Sequence, residues 1–193
     1  MINLFFKPIL LIFLLICSVG TSPKIKASKN KNLVKTFIKA RNDYDIEKVG
    51  ALIDEGYSET FIDGSKEIEN KDQLIDRVLW GKELESRIKL LDIQSNGKTI
   101  ITIEESSNFI DIALKRKPRK FKIIYGFVNG KIHHQSIDTL AGYHLITKYN
   151  AGKYKEFAAY CEQNNLIYNG NSLNQEFGMH LRKVLEQYRT ENE

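Results

Sequence analysis

Cysteine is scarce in this sequence, and its scarcity restricts how the fold can be stabilised. Only two of the 193 residues are cysteine and only three are proline. Cys17 lies in an apolar N-terminal stretch, which leaves Cys161 as the only cysteine of the remaining chain. A disulfide framework is therefore excluded, so packing must stabilise the domain. Cys161 lies on the apolar side of a predicted helix and is expected to be a buried structural thiol, because nothing nearby in the sequence would activate it as a nucleophile.

The N-terminus lacks an apolar run of the roughly 20 residues that a membrane-spanning helix needs. Its apolar run covers residues 9–17, follows Lys7 and Pro8, and leads into small residues that end at Gly20. A charged start, a short apolar segment and a small-residue end are typical of a secretory signal peptide. We therefore expect residues 1–20 to be cleaved and the protein to be exported, to a periplasm or outside the cell.

Two alternatives to a cleaved signal stay open. Cys17 could carry the lipid of a bacterial lipoprotein, although Ile16 stands where such signals require Gly, Ala or Ser. The apolar segment could also stay attached as an uncleaved anchor. A membrane is an expected partner only in these two cases.

The charge balance is only modestly basic, with 29 Lys and Arg against 24 Asp and Glu. Residues 21–32 are polar, basic and aperiodic, which predicts a flexible linker. Residues 115–120 form the densest basic run, and such a cluster could bind nucleic acid or an anionic polymer. The run has no interleaved aromatic residues and its Pro118 suits a turn, so we predict an exposed hairpin tip and no nucleic-acid partner.

Helical periodicity predicts three helices in the first part of the chain after the linker. The first covers residues 33–42. Asp43 or Asp45 supplies the N-cap of a short second helix that ends at Gly56, and Asn70 begins the third. Past Thr139 the chain becomes helical again, which predicts a helical extension over residues 141–193, lying over the sheet or the cavity mouth. The apolar stripe of the last helix consists of Leu173, Phe177, Leu181, Val184, Leu185 and Tyr188.

Strand-like segments lie between these two helical regions. Asn96-Gly97 and Asn129-Gly130 are strong hairpin signals, because these dipeptides favour two-residue turns. The predicted strands cover residues 57–63, 87–94, 99–114 with a possible break at Ser106-Ser107, 121–128 and 131–138. Helices segregated from an antiparallel meander predict an α+β domain.

The order of these elements resembles the nuclear-transport-factor-2-like superfamily, also called SnoaL-like or ketosteroid-isomerase-like. The resemblance is carried by residues 37–49 (FIKARNDYDIEKV), by Phe61-Ile62-Asp63-Gly64, by the helix at Asp72-Gln73-Leu74-Ile75, and by residues 127–132 (FVNGKI). It covers residues 33–140. It implies a cone, in which N-terminal helices pack on a curved antiparallel sheet around a cavity, and a homodimer formed through the sheet.

The family includes isomerases, cyclases and dehydratases as well as non-catalytic modules, so the fold does not define the activity. Alignment places the general-base aspartate of ketosteroid isomerases at Phe61, their tyrosine at Phe37 and their protonated aspartate near Ile124. All three positions are apolar here, so steroid-isomerase chemistry is not expected. A register shift of two would bring Glu59 or Asp63 to the first position, but it would not restore the set.

One polar group could still supply acid–base chemistry. Ile132, His134, Ser136 and Asp138 are expected to share one face of the last strand, so His134 and Asp138 could act as base and orienting residue, with Glu104 as a facing carboxylate. A solvated strand face is the alternative. His133 and His134 point to opposite faces, and no matching ligand set accompanies them, so we expect no metal and no cofactor.

Three functions follow from the sequence. The first is an exported, non-enzymatic module that binds a small, partly apolar ligand in the cone. The second is a cyclase- or dehydratase-type enzyme that uses a His-Asp/Glu pair, and the third is a protein-interaction domain with a filled cavity. The residues expected to line a ligand cavity, which core packing would explain equally well, are Tyr57, Phe61, Trp80, Tyr125, Phe127 and His134.

Overall fold

Six helices and one six-stranded sheet make up the part of the chain that the structure describes. The structure is a computed structural model that describes residues 23–170 and 172–192, with side chains from residue 27 onward. The predicted signal peptide, its cleavage site and Cys17 lie outside these residues. The elements are α1 Pro23–Asp43, α2 Ile46–Leu52, β1 Ile53–Phe61, β2 Lys66–Ile68, α3 Lys71–Glu83, β3 Arg87–Asn96, β4 Thr99–Ser107, α4 Phe109–Ala113, β5 Arg119–Val128, β6 Lys131–Thr139, α5 Tyr143–Gln163 and α6 Gln175–Asn192.

The strands form an open sheet in the order β2-β1-β6-β5-β4-β3. Strands β3 to β6 pair as the predicted antiparallel meander. The sheet is mixed, because β1 crosses over to lie parallel to β6. The register shifts between Leu90 and Asp92 and between Gly126 and Phe127, and such bulges bend and twist a sheet. The α+β class is confirmed, with the N-terminal helices packed against one sheet face.

Side-chain caps begin the short helices where the sequence predicts them. Asp45 accepts a hydrogen bond from Lys48 N at 2.9 Å to cap α2, and Asn70 accepts one from Gln73 N at 3.0 Å to cap α3. The second helix ends earlier than predicted. Ile53, which lies before the predicted end at Gly56, instead begins β1 and pairs in register with Ile132 of β6.

The segment predicted as a linker is largely helical, which corrects the prediction for residues 23–32. Helix α1 begins at Pro23 and continues without a break to Asp43. Proline is tolerated in the first turn of a helix, since the backbone N–H groups there have no intrahelical acceptor. Lysine and alanine are good helix formers, so the segment can be helical without a clear apolar stripe.

The predicted strand over residues 99–114 breaks after Ser107, at the point where a break was expected. Asn108 and Asp111 form a capping box that begins α4, so Asp111 lies in a helix and not in a strand. The basic run that follows is not simply an exposed hairpin tip. The side chains of Arg116 and Arg119 are half-buried and line the central cavity, because α4 turns the chain inward and Asp111 pairs with Arg116 at 3.2 Å.

The C-terminal extension builds a second hydrophobic core. Helix α6 packs on α3 and α4 and not over the sheet, whereas α5 contacts β5 and its Tyr143 lines the cavity. Cys161 is fully buried there without a disulfide partner, as predicted, and burial raises the pKa of its thiol to about 11. This core contains Trp80, Leu84, Phe109, Ala113, Leu114, Phe157, Cys161, Leu181, Val184 and Leu185. No helix of the described chain is long and apolar enough to cross a membrane.

The close approach of α6 to α3 depends on Gly178. A Cβ atom at this position would lie 3.2 Å from the backbone oxygen of Trp80 and 3.1 Å from Glu83 Cβ. A Gly178→Leu variant is expected to lose about 2 kcal/mol of unfolding free energy in urea denaturation, because the helices would have to separate. Gly152→Leu is the matched control, since Gly152 lies in α5 with no atom near its missing Cβ. It should be neutral or slightly stabilising because leucine favours helix, and equal losses in both variants would contradict the packing role of Gly178.

Candidate functional site

A cavity of about 380 Å³ lies between the inner sheet face and the ends of α1, α3 and α4. Its size falls within the range of small-molecule sites. The wall is largely apolar, whereas charged side chains occupy its floor and its mouth. The apolar lining residues are Phe61, Ile68, Val78, Trp80, Ile88, Ile110, Phe121, Ile123, Ile137 and Tyr143.

Glu59 of β1 forms one half of the cavity floor, and its carboxylate is almost fully buried. Its Oε1 atom accepts hydrogen bonds from Tyr57 Oη at 2.5 Å, from Gln135 Nε2 at 3.2 Å and from Arg41 Nη1 at 3.3 Å. Gln135 also donates to the Tyr57 hydroxyl. Three donors on one oxygen stabilise a charged carboxylate in a buried position.

Glu104 of β4 forms the other half of the floor and is also buried. Its Oε1 atom accepts hydrogen bonds from Thr102 Oγ1 at 2.5 Å and from Tyr125 Oη at 2.7 Å. Burial raises the pKa of Glu104, although these two hydrogen bonds and the nearby Arg41 act in the opposite direction. A carboxyl group with a raised pKa can exchange a proton closer to neutral pH than an exposed one.

Arg41 of α1 is the cation that both carboxylates share electrostatically. Burial alone would lower the pKa of its guanidinium, but Glu59, Tyr57, Tyr125 and Glu104 outweigh that effect and raise it. Burial also raises the pKa of both tyrosine hydroxyls well above the usual value. Both hydroxyls therefore stay protonated and donate to the carboxylates.

The C-terminal end of α1 is held against β3, which positions Arg41 over the floor. Asn42 donates from Nδ2 to Ile88 O and accepts from Ile88 N, both at 2.8 Å. The Tyr44 hydroxyl donates to Ser86 O at 3.0 Å. These contacts join residues more than 40 positions apart in the sequence, so only the folded chain assembles this site.

The mouth of the cavity is basic. We call the solvent-exposed side of the cavity the mouth because these lining residues are partly or fully exposed to solvent: Arg77, Arg87, Arg116 and Arg119, together with the polar residues Ser106, Ser107 and Asn108. Arg77 pairs with Glu67 at 2.8 Å, and Arg87 lies over the Tyr44 ring at 4.9 Å.

The structure divides the residues expected to line a ligand cavity. Phe61 and Trp80 line it. Tyr57 and Tyr125 are completely buried beneath the floor and reach it only through Glu59 and Glu104. Phe127 packs against the buried core that contains Phe37, Tyr57 and Tyr125, and it does not line the cavity.

His134 and Asp138 do not meet in the cavity. The expectation that Ile132 shares a face with His134 is wrong, because the register shift at Gly126 and Phe127 places Ile132 with the buried residues Gln135 and Ile137. His134 contacts hydroxyl groups on the opposite face instead, at 3.0 Å from Ser58 Oγ and 2.9 Å from Ser136 Oγ.

Asp138 forms an ion pair with Lys122 rather than orienting His134. Of the three candidate catalytic residues, only Glu104 lines the cavity. Phe37, aligned with the isomerase tyrosine, is buried against Tyr57 and Tyr125, while Ile124 points away from the cavity beside the buried Ile123. No group of three His, Cys, Asp or Glu residues in the described chain is arranged to hold a metal ion.

Sequence reasoning missed the roles of Arg41, Gln135 and Arg119, and gave Glu59 only as the result of a register shift. The sequence does contain a pattern that indicates the buried positions of Glu59 and Glu104. Glu59 and Glu104 each lie two residues from a buried tyrosine or threonine on the same strand face, Tyr57 and Thr102. A charged residue at an inward strand position is rare unless it has a partner. Arg41 carried no such signal, because its partners come from distant strands.

The raised pKa of Glu104 predicts a pH-dependent stability. The native state holds this proton more tightly than the unfolded chain does, so the contribution of Glu104 is present at low pH and is lost as pH rises from its ordinary value of 4.5 through the raised native value. In Glu104→Gln that loss should disappear, so the unfolding free energy should fall less between about pH 4 and pH 8. The matched control is Glu105→Gln on the outer face, where Glu105 pairs with Lys120 at 3.4 Å. Urea denaturation across this range is the measurement, and identical slopes in both variants would refute the assignment.

Comparison with known proteins agrees with this architecture. No protein-family model matches the sequence, and a search of curated proteins finds no match. An LEH-like epoxide hydrolase from M. tuberculosis has a similar structure, with a TM-score of 0.52 at 12% identity over 70% of this chain and 98% of its own.

Two further solved structures are similar at lower scores. An NTF2-like protein of unknown function from Cytophaga hutchinsonii has a TM-score of 0.45 at 14% identity, over 56% of this chain and 87% of its own. A cystatin-fold protein from Novosphingobium aromaticivorans has a TM-score of 0.47 at 16% identity, over 56% of this chain and 96% of its own. The similarity to the epoxide hydrolase from M. tuberculosis, at 12% identity, shows a shared fold.

Proposed function

We propose that this protein is an exported module that binds a small molecule in the cone cavity. The observation that carries the proposal is the open cavity of about 380 Å³ with Arg41, Glu59 and Glu104 on its floor. Natural interiors are packed densely, and voids larger than a water molecule are few. A space of this size, with charged groups on its floor, supports ligand binding rather than a filled core.

The energetics of the floor support the same proposal. Transferring two carboxylates and a guanidinium from water into a protein interior costs several kcal/mol per ion, and their mutual attraction offsets that cost only with good geometry. Apolar side chains of similar size are often neutral or stabilising at such positions. The floor is therefore better explained by what it binds than by what it adds to stability.

The cavity favours a more polar ligand than the sequence suggested. Five arginines and three glutamates line it, so its net charge is positive, while the apolar wall would contact the body of the ligand. A small molecule with an apolar body and an anionic group matches this distribution.

An acid–base enzyme is the second candidate, and the buried Glu104 with its raised pKa favours it. Such an enzyme would use Glu104 and Glu59, since His134 and Asp138 lie on the other sheet face. The epoxide hydrolase from M. tuberculosis with a similar fold supports this candidate only in that the fold accommodates an enzyme.

Export and dimer formation complete the proposal. The apolar segment before Gly20 supports export with cleavage, and lipid attachment at Cys17 is the alternative. Ile101, Ile103 and Ile124 are half-buried on the outer sheet face, where Ile101 and Ile124 are cross-strand partners. This apolar strip supports a homodimer formed through the sheet.

Native mass spectrometry of the protein purified from its host tests the binding proposal. We expect a bound small molecule on the wild-type protein and its loss from Ser106→Trp, because an indole at this lining position would fill the cavity mouth. Ser95→Trp is the control, since Ser95 is exposed and does not line the cavity. A ligand-free wild-type protein, or a ligand that Ser106→Trp retains, would reject the cavity as the binding site.

The Glu104→Gln variant separates a binder from an enzyme in the same measurement. A binder should carry the same ligand mass as the wild type. An enzyme should accumulate its substrate, so the bound mass should change.

The same spectra report the mature N-terminus and the number of subunits. We expect a chain that begins at residue 21 and a dimeric mass. A chain that begins at Met1 would refute cleavage, and a lipid-modified Cys17 at the N-terminus would replace release with anchoring.

For the dimer, Ile124→Glu should yield monomers because it places a charge in the apolar strip.

A further inference from the structure

Two arginines at the cavity mouth carry buried donor atoms that have no hydrogen-bond acceptor. Arg116 precedes β5 and Arg119 begins it, and both line the cavity. The Nε atoms of Arg116 and Arg119 are inaccessible to solvent, and neither donates a hydrogen bond to the described chain. An unsatisfied buried donor on a charged group costs more than one on a neutral group, so the chain keeps both guanidinium groups here at a cost to stability. Their Nη atoms are not among the buried atoms and make no hydrogen bond within the described chain, so these donors can meet an acceptor in the cavity.

The charge at the mouth is not balanced by the protein. Arg116 Nε lies 3.2 Å from Asp111 Oδ1, close enough for an ion pair, yet neither atom makes a hydrogen bond. Arg119 makes no ion pair with a carboxylate of the described chain, and Asp111 is the carboxyl group that its charge influences. One carboxylate therefore faces two guanidinium groups, which leaves one positive charge.

Trp80 carries a third buried donor without an acceptor in the described chain. Its side chain is nine-tenths buried, lines the cavity, and has no acceptor for Nε1 in the described residues. The Ser106 side chain lies on the same wall, and Ser106 is the cross-strand neighbour of Arg119. The Ser106 hydroxyl and the Arg119 guanidinium therefore bring donors from β4 and β5 to one side of the mouth.

We propose that the ligand is a monoanionic carboxylic acid whose carboxylate binds Arg119 and Arg116 at the cavity mouth. The two Nη donors of a guanidinium form a planar fork that matches the two oxygens of a carboxylate. The one positive charge that Asp111 leaves on the Arg116–Arg119 pair matches one negative charge. A dianionic phosphate would bring a second negative charge toward Glu59 and Glu104, so the cavity disfavours it.

The distance from the mouth to the floor indicates which group lies at the other end of the ligand. Phe121 lies two residues after Arg119 on the same face of β5, and its cross-strand partner is Glu104. Two residues of a strand span about 7 Å, so a short apolar body would reach from the mouth to the floor. Every hydrogen bond that the described chain donates to Glu59 and Glu104 ends on Oε1, so Oε2 of either carboxylate can accept one from a hydroxyl group of the ligand.

This inference rests on the proposed binding function, and its test separates the two. The probes are para-hydroxyphenylpropanoate, the neutral alcohol para-hydroxyphenylpropanol, and a phosphonate analogue with the same ring. Each is titrated calorimetrically into the full mature protein. We expect the carboxylate to bind about tenfold more tightly than the alcohol, because a hydrogen-bonded charge pair contributes more than a neutral contact.

Variants of Arg119 test whether the tighter binding of the carboxylate depends on the cavity mouth. Arg119→Gln should weaken carboxylate binding about tenfold and leave alcohol binding unchanged, which also shows that the variant is folded. Arg119→Lys should recover only part of the affinity, because a lysine lacks the planar fork. Lys120→Gln is the matched control, since it removes the same charge at the next, exposed position, and it should bind both probes as the wild type does.

Each outcome decides one of the two proposals. Equal affinity for the carboxylate and the alcohol, or tighter binding of the phosphonate, would overturn the carboxylate assignment while the cavity remains a binding site. Equal weakening by Arg119→Gln and Lys120→Gln would reduce the effect to long-range charge and would also overturn it. Failure of all three probes to bind would count against the small-molecule function itself.

Discussion

The buried charge cluster of Arg41, Glu59 and Glu104 is the constraint on which the rest of the site depends. Two inward-facing carboxylates need a cation, and that cation comes from the last turn of α1. Its position requires the helix end to be tied to β3 through Asn42. Tyr57, Tyr125, Thr102 and Gln135 are then needed to donate to the carboxylates. A domain with an apolar core thereby keeps a polar cavity floor.

Charged and apolar side chains occupy different parts of the cavity. The floor combines two carboxylates with one arginine, the wall is apolar, and the mouth carries an excess of arginines. Because the sheet is curved and α4 turns the chain back toward it, residues from a helix, a loop and a strand surround one opening. The C-terminal extension stabilises the helices that line the cavity, since α6 packs on α3 and α4 and the second core includes Trp80.

The sequence was most informative where local physics determines the structure. The caps at Asp45 and Asn70, the hairpins at Asn96-Gly97 and Asn129-Gly130, and the break after Ser107 were all predicted, since each depends on a few neighbouring residues. The α1 start was wrong because a lysine-rich segment has good helix propensity without an apolar stripe. The face of His134 was wrong because a bulge, which leaves no clear sequence signal, shifts alternation by one residue.

The sequence by itself determined the fold class and the buried Cys161, because hydrophobic periodicity and turn chemistry are local properties. Only the tertiary structure decided which charges meet. Arg41 and Glu59 are 18 residues apart and Tyr57 and Gln135 are 78 apart, so their contacts depend on strand order and the parallel β1–β6 crossover. The same holds for Arg119, which reads as part of a solvated basic run until the fold places it at the cavity mouth.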